Sequence, residues 1–237
     1  VPTDFSEQAE NALKVAAQLA KKNESEIYVL NSLELPTHLS SSGDNGGMPE
    51  SLFFIKLAEK YFEELLKKPY LDGLLIHEAI IGHEEVYKDV NEVVKEKNID
   101  LVIMGSQGNN GFMELFIGSN TEKVVRTSKI PVLVIKNNHE EFKTDNFVYA
   151  TDFSDECKTP FNQAIKFAEE TNTHIKLLYI NTPSEFKTTK EINAKIKSFL
   201  KDLDDSNFSV HIYNDISIEK GILNFAAETN AHLIGMG

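Results

Sequence analysis

The sequence is short of the residues that mark several protein classes. There is a single cysteine, Cys157, and no tryptophan in 237 residues. One thiol cannot form an internal disulfide or a four-cysteine zinc site. It reads as a small half-buried side chain rather than a reactive thiol. No apolar run approaches the ~18 residues of a membrane span, and no signal-peptide pattern opens the chain. Basic residues are also scarce: 24 Lys and Arg face 37 Asp and Glu, for a net charge of −13. Such a surface repels nucleic acid and anionic membranes unless Lys and Arg cluster, and here they are scattered beside Glu and Asp. Glycine and proline number only 12 and 7, and 41% of residues are hydrophobic, which excludes disordered and collagenous chains. The expectation is a soluble cytoplasmic protein with no nucleic-acid or membrane partner.

Length divided by ~150 residues per domain gives about 1.6. An internal repeat accounts for the fraction. Thr3-Asp4-Phe5-Ser6 recurs as Thr151-Asp152-Phe153-Ser154. The register continues through Ala16 and Ala164, Ala20 and Ala168, Ile27 and Ile175, Leu30 and Leu178. At a shorter offset, the segment from Asn98 to Gly105 matches that from Asn230 to Gly237, with His232 in place of Asp100. The chain opens at Val1-Pro2-Thr3 and stops inside an apolar strand pattern, so both ends read as clipped. The expectation is a tandem pair, residues 1–140 and 145–237, with the second copy truncated and 137–145 as linker.

In the first copy, Ala9, Ala12, Leu13, Ala16, Leu19 and Ala20 recur at helical spacing behind Ser6 as N-cap. A strand over 27–32 follows, then a Ser/Gly/Asn loop over 36–47 that reads as a mobile or lid segment. Helices are expected over 49–68, 84–97 and 119–129, and strands over 74–81, 101–104 and 130–135. Helices alternating with continuous apolar strands predict a doubly wound α/β fold with a mostly parallel sheet.

In such sheets ligands bind beyond the carboxyl ends of the strands, where strand order reverses. The strand ending at Met104 runs into Gly105-Ser106-Gln107-Gly108, and Gly118-Ser119 follows. Glycines let backbone N–H groups approach an anion closely. Ser119 reads as an N-cap with Glu122 completing a capping box, and the helix it starts points its positive end at the glycine loop. Lys123 and Arg126 lie on that helix, as phosphate aids or as solvated charge.

Other chemistries find no support. There is no Gly-Lys pair for a Walker loop and no Gly-x-Ser-x-Gly elbow. His83-Glu84-Glu85 and His139-Glu140-Glu141 lack a second histidine at helical spacing for a zinc site. Phe53, Phe54, Tyr61 and Phe62 read as core or interface. No protein metal site and no catalytic residue is assigned.

The pattern Gly105-x2-Gly108-x9-Gly118-Ser119 is flanked by Asp100-Leu-Val-Ile-Met and Ile130-Pro-Val-Leu-Val-Ile and preceded by Pro2-Thr3-Asp4-Phe5-Ser6. It resembles the ATP-binding signature of universal stress proteins. The resemblance implies two tandem Rossmann-like domains of the adenine nucleotide α-hydrolase-like type, each with a five-stranded parallel sheet. It implies ATP or another adenine nucleotide, with or without Mg²⁺, as a regulatory ligand of the first copy. Pro2 and Asp4 would then lie at the adenosine end, and backbone at Ser32 would meet the adenine. Gly105, Gly108, Gly118 and Ser119 would hold ribose and phosphates. Gly82 fits either the ribose or a plain turn. The last strand would pair in a homodimer or between the copies. A slow ATP hydrolase or nucleotidyl-transferring enzyme of the same fold, or a ligand-free dimerisation scaffold, is the alternative to a binding protein.

Overall fold

The computed structural model describes residues 1–33, 50–82, 85–106, 118–201, 203 and 207–237. The chain divides into two compact units, Val1–Phe142 and Lys143–Gly237. The expected loop over 36–47 lies outside the described residues.

Unit 1 runs α1 (Glu7–Asn23), β1 (Ile27–Ser32), α2 (Glu50–Leu65), β2 (Ile76–Ile81), α3 (Val86–Glu96), β3 (Val102–Gly105), α4 (Ser119–Thr127) and β4 (Val132–Ile135). Helix α1 starts where its sequence predicts: Ser6 accepts a hydrogen bond from Ala9 N at 3.3 Å, satisfying one of the first-turn donors. Its inward stripe of Ala12, Leu13, Val15 and Ala16 is buried, a face of mostly small side chains that lets the helix lie close to the sheet. Strand β1 pairs in parallel with β2, and β3 with β4. Residues 1–3 add one parallel bridge beside β1, with Thr3 N donating to Leu30 O at 2.8 Å and Leu30 N to Val1 O at 2.9 Å.

Strand β3 is covered on both faces. Val102 and Met104 pack with Leu30, Val90, Val93 and Val124 of β1, α3 and α4. A Cβ on Gly105, on the opposite side of the pleat, would meet the backbone of α1. Burial on both faces is why the strand reads as a continuous apolar run rather than an alternation.

Unit 2 runs β5 (Phe147–Ala150), α5 (Lys158–Thr171), β6 (Ile175–Asn181), α6 (Thr189–Phe199), β7 (Phe208–Asn214), α7 (Ile218–Glu228) and β8 (Leu233–Met236). Its parallel sheet has the order β7-β6-β5-β8, so strand order reverses between β5 and β8. Phe147, Tyr149, Leu177 and Tyr179 face the cluster built with α5 and α6, including Phe161, Ile192 and Phe199. Val148 and Leu178 face Phe225 of α7.

The sheets thus contain two, two and four strands among the described residues, in place of the five expected per copy. In unit 1 the segment preceding α1 contributes only a bridge before the chain turns at Asp4.

Among the described residues, six non-glycine residues at positive φ fall at matching places. Phe5 (62°) and Phe153 (60°) occupy the Thr-Asp-Phe-Ser turns. Glu24 (52°) and Asn172 (54°) follow α1 and α5, and Asn98 and Asn230 (51° each) precede β3 and β8.

Candidate functional site

The Thr-Asp-Phe-Ser turn is held by its own side chains. Thr3 Oγ1 accepts from Phe5 N at 2.9 Å and Asp4 Oδ1 from Ser6 N at 3.0 Å. These bonds stabilise the left-handed Phe5, whose ring packs on Tyr61 and Phe62 at 5.1 Å. Asp4 remains exposed above the turn. Pro2 forms the bridge to β1, and the adjoining Asn31 donates to Thr3 O at 2.8 Å while its Oδ1 is buried and unpartnered among the described residues.

The two described glycines of the expected cradle have opposite characters. A Cβ at Gly105 would lie 2.3 Å from Gln8 O and 2.5 Å from Gln8 C, so this glycine permits α1 to pack on β3. It serves packing first. Gly118 has φ −55°, ordinary for any residue, and a Cβ there would meet nothing within 4 Å among the described residues. Packing among the described residues gives no reason for a glycine at 118 and leaves space beside it. Gly108 lies outside the described residues.

The expectation that Ser119 caps α4 is corrected. Gly118 is the N-cap, Ser119 is the first helical residue, and no capping box forms. Glu122 N bonds to Gly118 O within the helix, and the Glu122 carboxylate pairs with Arg126 at 3.0 Å. A glycine cap has no side chain to satisfy first-turn donors, so the N–H groups of Ser119, Asn120 and Thr121 start α4 without a side-chain cap. The helix dipole adds partial positive charge at this end.

Three residues that motif reasoning did not assign complete the edge. Thr121 Oγ1 donates to Gly105 O at 3.1 Å, tying the first turn of α4 to the end of β3. Ser106 continues β3 by donating its N–H to Ile135 O at 3.0 Å. Its side chain is 2% exposed, and its Oγ has no partner among the described residues. Strand alternation puts it on the side of Met104, the face that α4 covers. Asp89 of α3 is fully buried and accepts a hydrogen bond from Ser32 Oγ. The Ser32 hydroxyl is therefore engaged by the protein, leaving backbone as its means of meeting a ligand. A buried asparagine at the end of an apolar strand (Asn31) was a readable signal; Ser106 and Asp89 carry none in sequence alone.

Gly105 thus lies against Gln8 in the first turn of α1, just after the Asp4 turn, and is tied by Thr121 to the start of α4, while Ser32 ends β1. Beside them, Glu85 at the start of α3 is held below the usual carboxylate range, chiefly by its hydrogen bond with Lys88 and then with Tyr87. Among the described residues no three His, Cys, Asp or Glu side chains converge to hold a metal ion.

The matching turn of unit 2 is built differently around its aspartate. Asp152 Oδ1 accepts from Ser154 N at 2.8 Å and from the Cys157 thiol at 3.3 Å. Burial pushes its carboxyl up, yet these bonds and nearby Lys195 outweigh that and hold it low. Cys157 is buried, as a packing cysteine would be. His232 donates its N–H to Asn146 O at 2.9 Å, at the entry to β8.

Comparison with known proteins places this geometry. A family model described as the universal stress protein family matches residues 1–136. The chain is 35% identical over 157 residues to universal stress protein MJ0577 of Methanocaldococcus jannaschii, covering 58% of this chain and 93% of that protein. It is 25% identical over 150 residues to universal stress protein YxiE of Bacillus subtilis, covering 57% and 96%. In structure, a universal stress protein from Archaeoglobus fulgidus is similar over 100% of this chain and 85% of its own, with a TM-score of 0.73 at 23% identity, a likeness of fold. No helix among the described residues is long and apolar enough to cross a membrane. A parallel α/β unit with this turn, glycine-ended strand and helix start, matched by the family's model over more than half the chain, belongs to the universal stress protein family.

Proposed function

We propose that unit 1 binds ATP or a related adenine nucleotide as a regulatory ligand in a stress response. The observation that carries this reading is the start of α4. Among the described residues, a helix with no side-chain cap begins at a glycine that packing does not require, and a buried Ser106 hydroxyl without a partner ends the preceding strand. That combination suits an anion: backbone N–H groups and a dipole to receive it, and room for it to approach. The N–H groups of Ser119, Asn120 and Thr121 and the Ser106 and Ser119 hydroxyls would hold the phosphates, with Gly108 as a further proposed contact. Asp4 and Pro2 would face the adenosine, and backbone at Ser32 the adenine. Mg²⁺, where present, would arrive with the nucleotide.

Binding rather than turnover is the reading. The hydroxyls at this edge, Ser106, Ser119 and Thr121, have no general base hydrogen-bonded to them among the described residues, and Thr121 is spent on Gly105 O. The repeated turn and the three matched pairs of left-handed residues support an origin by tandem duplication, with unit 2 as a second universal stress domain. A cytoplasmic location, a five-stranded arrangement of each copy, and pairing through the last strand of the first copy as a homodimer or between copies belong to the same proposal.

Calorimetric titration of nucleotide-free protein with ATP tests it. One site and an upward thermal shift are expected. Gly118→Val places two methyl groups in the open space and should weaken binding at least about tenfold while the protein stays folded. No heat and no thermal shift with the wild-type chain would remove the reading.

A further inference from the structure

Lys123 and Glu85 form a contact beside this site that the nucleotide reading leaves unused. Lys123 lies one helical turn beyond Ser119, so the two share a face of α4, and long side chains on a helix lean toward its N-terminus. The Lys123 ammonium can therefore approach the uncapped first turn. It rests 3.6 Å from Glu85 Oε1 and 5.7 Å from the centre of the Tyr87 ring. Glu85 does not depend on it. Its other oxygen, Oε2, makes the shorter contacts, 2.7 Å to Lys88 and 3.1 Å from the Tyr87 hydroxyl. Helices α3 and α4 run side by side in the same direction, since Glu85 meets Lys123 and, further along, Asn91 donates to Thr127 Oγ1 at 2.9 Å. Each helix start follows the carboxyl end of a parallel strand, α3 after β2 and α4 after β3. The buried Ser106 hydroxyl on the α4 side is an independent sign that this edge receives a polar group.

We infer that Lys123 is a phosphate-chain sensor: it leaves its loose pairing with Glu85 for the outer phosphates of a bound polyphosphate, and Glu85 sets how strongly it does so. This rests on the proposed nucleotide site and specifies which ligands that site prefers. A monophosphate that satisfies only the first-turn N–H groups leaves Lys123 with Glu85. A di- or triphosphate carries further charge outward and competes for the ammonium, because a 3.6 Å contact on a partly solvated surface is weak. Glu85, a like charge to the phosphates, lowers affinity for the longest chains and so limits retention of ATP.

The experiment is titration of the full chain with ATP, ADP, AMP and inorganic tripolyphosphate, for the wild type, Lys123→Met, Lys123→Arg and Glu85→Gln. Thermal melts without ligand confirm that each variant folds. Lys123→Met should weaken ATP and tripolyphosphate about fivefold, ADP less, and AMP by less than about twofold. Lys123→Arg should restore most of the loss, and Glu85→Gln should tighten ATP about threefold. Equal effects on ATP and AMP, or no effect on either, would overturn the inference. Tripolyphosphate binding that depends on Lys123 without any adenine nucleotide binding would overturn the nucleotide reading and keep the sensor. If the wild type binds none of these ligands, both fall.

Discussion

Replacing Gly105 and Gly118 separately by alanine, in nucleotide-free protein, isolates what each glycine is for. At Gly105 the new Cβ would sit 2.3 Å from Gln8 O and 2.5 Å from Gln8 C, both backbone atoms of the first turn of α1. A comfortable carbon contact is ~3.5 Å, so α1 must retreat by roughly 1 Å or β3 must shift. A rotamer change cannot relieve a clash with backbone. Buried overpacking of this kind costs about 1–3 kcal/mol, which for a domain of this size lowers the melting temperature by about 3–10 °C. At Gly118 the same methyl meets nothing within 4 Å among the described residues, at a φ of −55° that alanine adopts freely. Alanine is a poorer N-cap than glycine, but it also restricts the unfolded chain, and the two effects nearly cancel. Net stability should change by less than about 0.5 kcal/mol. Urea unfolding and differential scanning calorimetry measure both. Equal losses for the two variants, or a Gly105→Ala protein as stable as wild type, would refute the assignment of Gly105 to packing and Gly118 to an open surface.

Two further outcomes follow from unit 2 and from α1. His211 is held below its ordinary value of 6.5, first by burial and then by nearby Lys176 and His174, and its ring lies against Phe225 and hydrogen-bonds Ser209 at 2.9 Å. Its folded pKa is depressed, so between that value and 6.5 the unfolded chain holds a proton that the folded chain lacks, and stability rises with pH. Thermal stability should therefore fall as pH drops from about 7.5 to 5.5, and His211→Gln should flatten that slope; an unchanged slope would show that other groups carry it. Glu24 follows α1 at φ 52°, where its Cβ is unfavourable. Glu24→Gly should stabilise the protein by about 1 kcal/mol, and a destabilised variant by chemical denaturation would contradict this.

The Ser/Thr-x-x-Glu signature shows how far local sequence reaches. Ser119 and Glu122 fit a capping box on paper, yet α4 begins at Gly118 and Glu122 turns to Arg126. Thr188 and Glu191 have the same spacing and do form one, Glu191 N donating to Thr188 Oγ1 at 3.3 Å and Thr188 N to Glu191 Oε2 at 2.8 Å. The spacing is local, but the phase of the helix is set by what its far side packs against. In α4, Val124 is fully buried with Val102 and Met104, and Thr121 is held by Gly105 O, which together fix the rotation. By contrast β1 and the start of α1 matched their predicted positions, since a continuous apolar run and a serine cap depend on few distant partners.

Glycine made the same distinction. Both Gly105 and Gly118 looked like ligand glycines in the motif, and composition could not separate them. Only the approach of α1 to β3 shows that a side chain at 105 would strike backbone, whereas one at 118 would meet nothing within 4 Å among the described residues. The segment following Ile135 read as a linker of charged residues, yet Gln18 of α1 holds it, accepting from Phe142 N at 2.7 Å and donating to His139 O at 3.3 Å.

What the sequence determined by itself is the class and the grammar of the protein. Alternating apolar strands and amphipathic helices dictate a parallel α/β fold, and the ordered motifs identify the family, because periodicity and turn chemistry are written in neighbouring residues. Tertiary structure alone decided that a side chain at Gly105 would strike α1, that Ser32 is taken by a buried Asp89, that Ser106 has no partner among the described residues, and that Lys123 is paired to Glu85. Those facts arise from groups far apart in the chain meeting in space, and no local pattern encodes how closely two backbones approach.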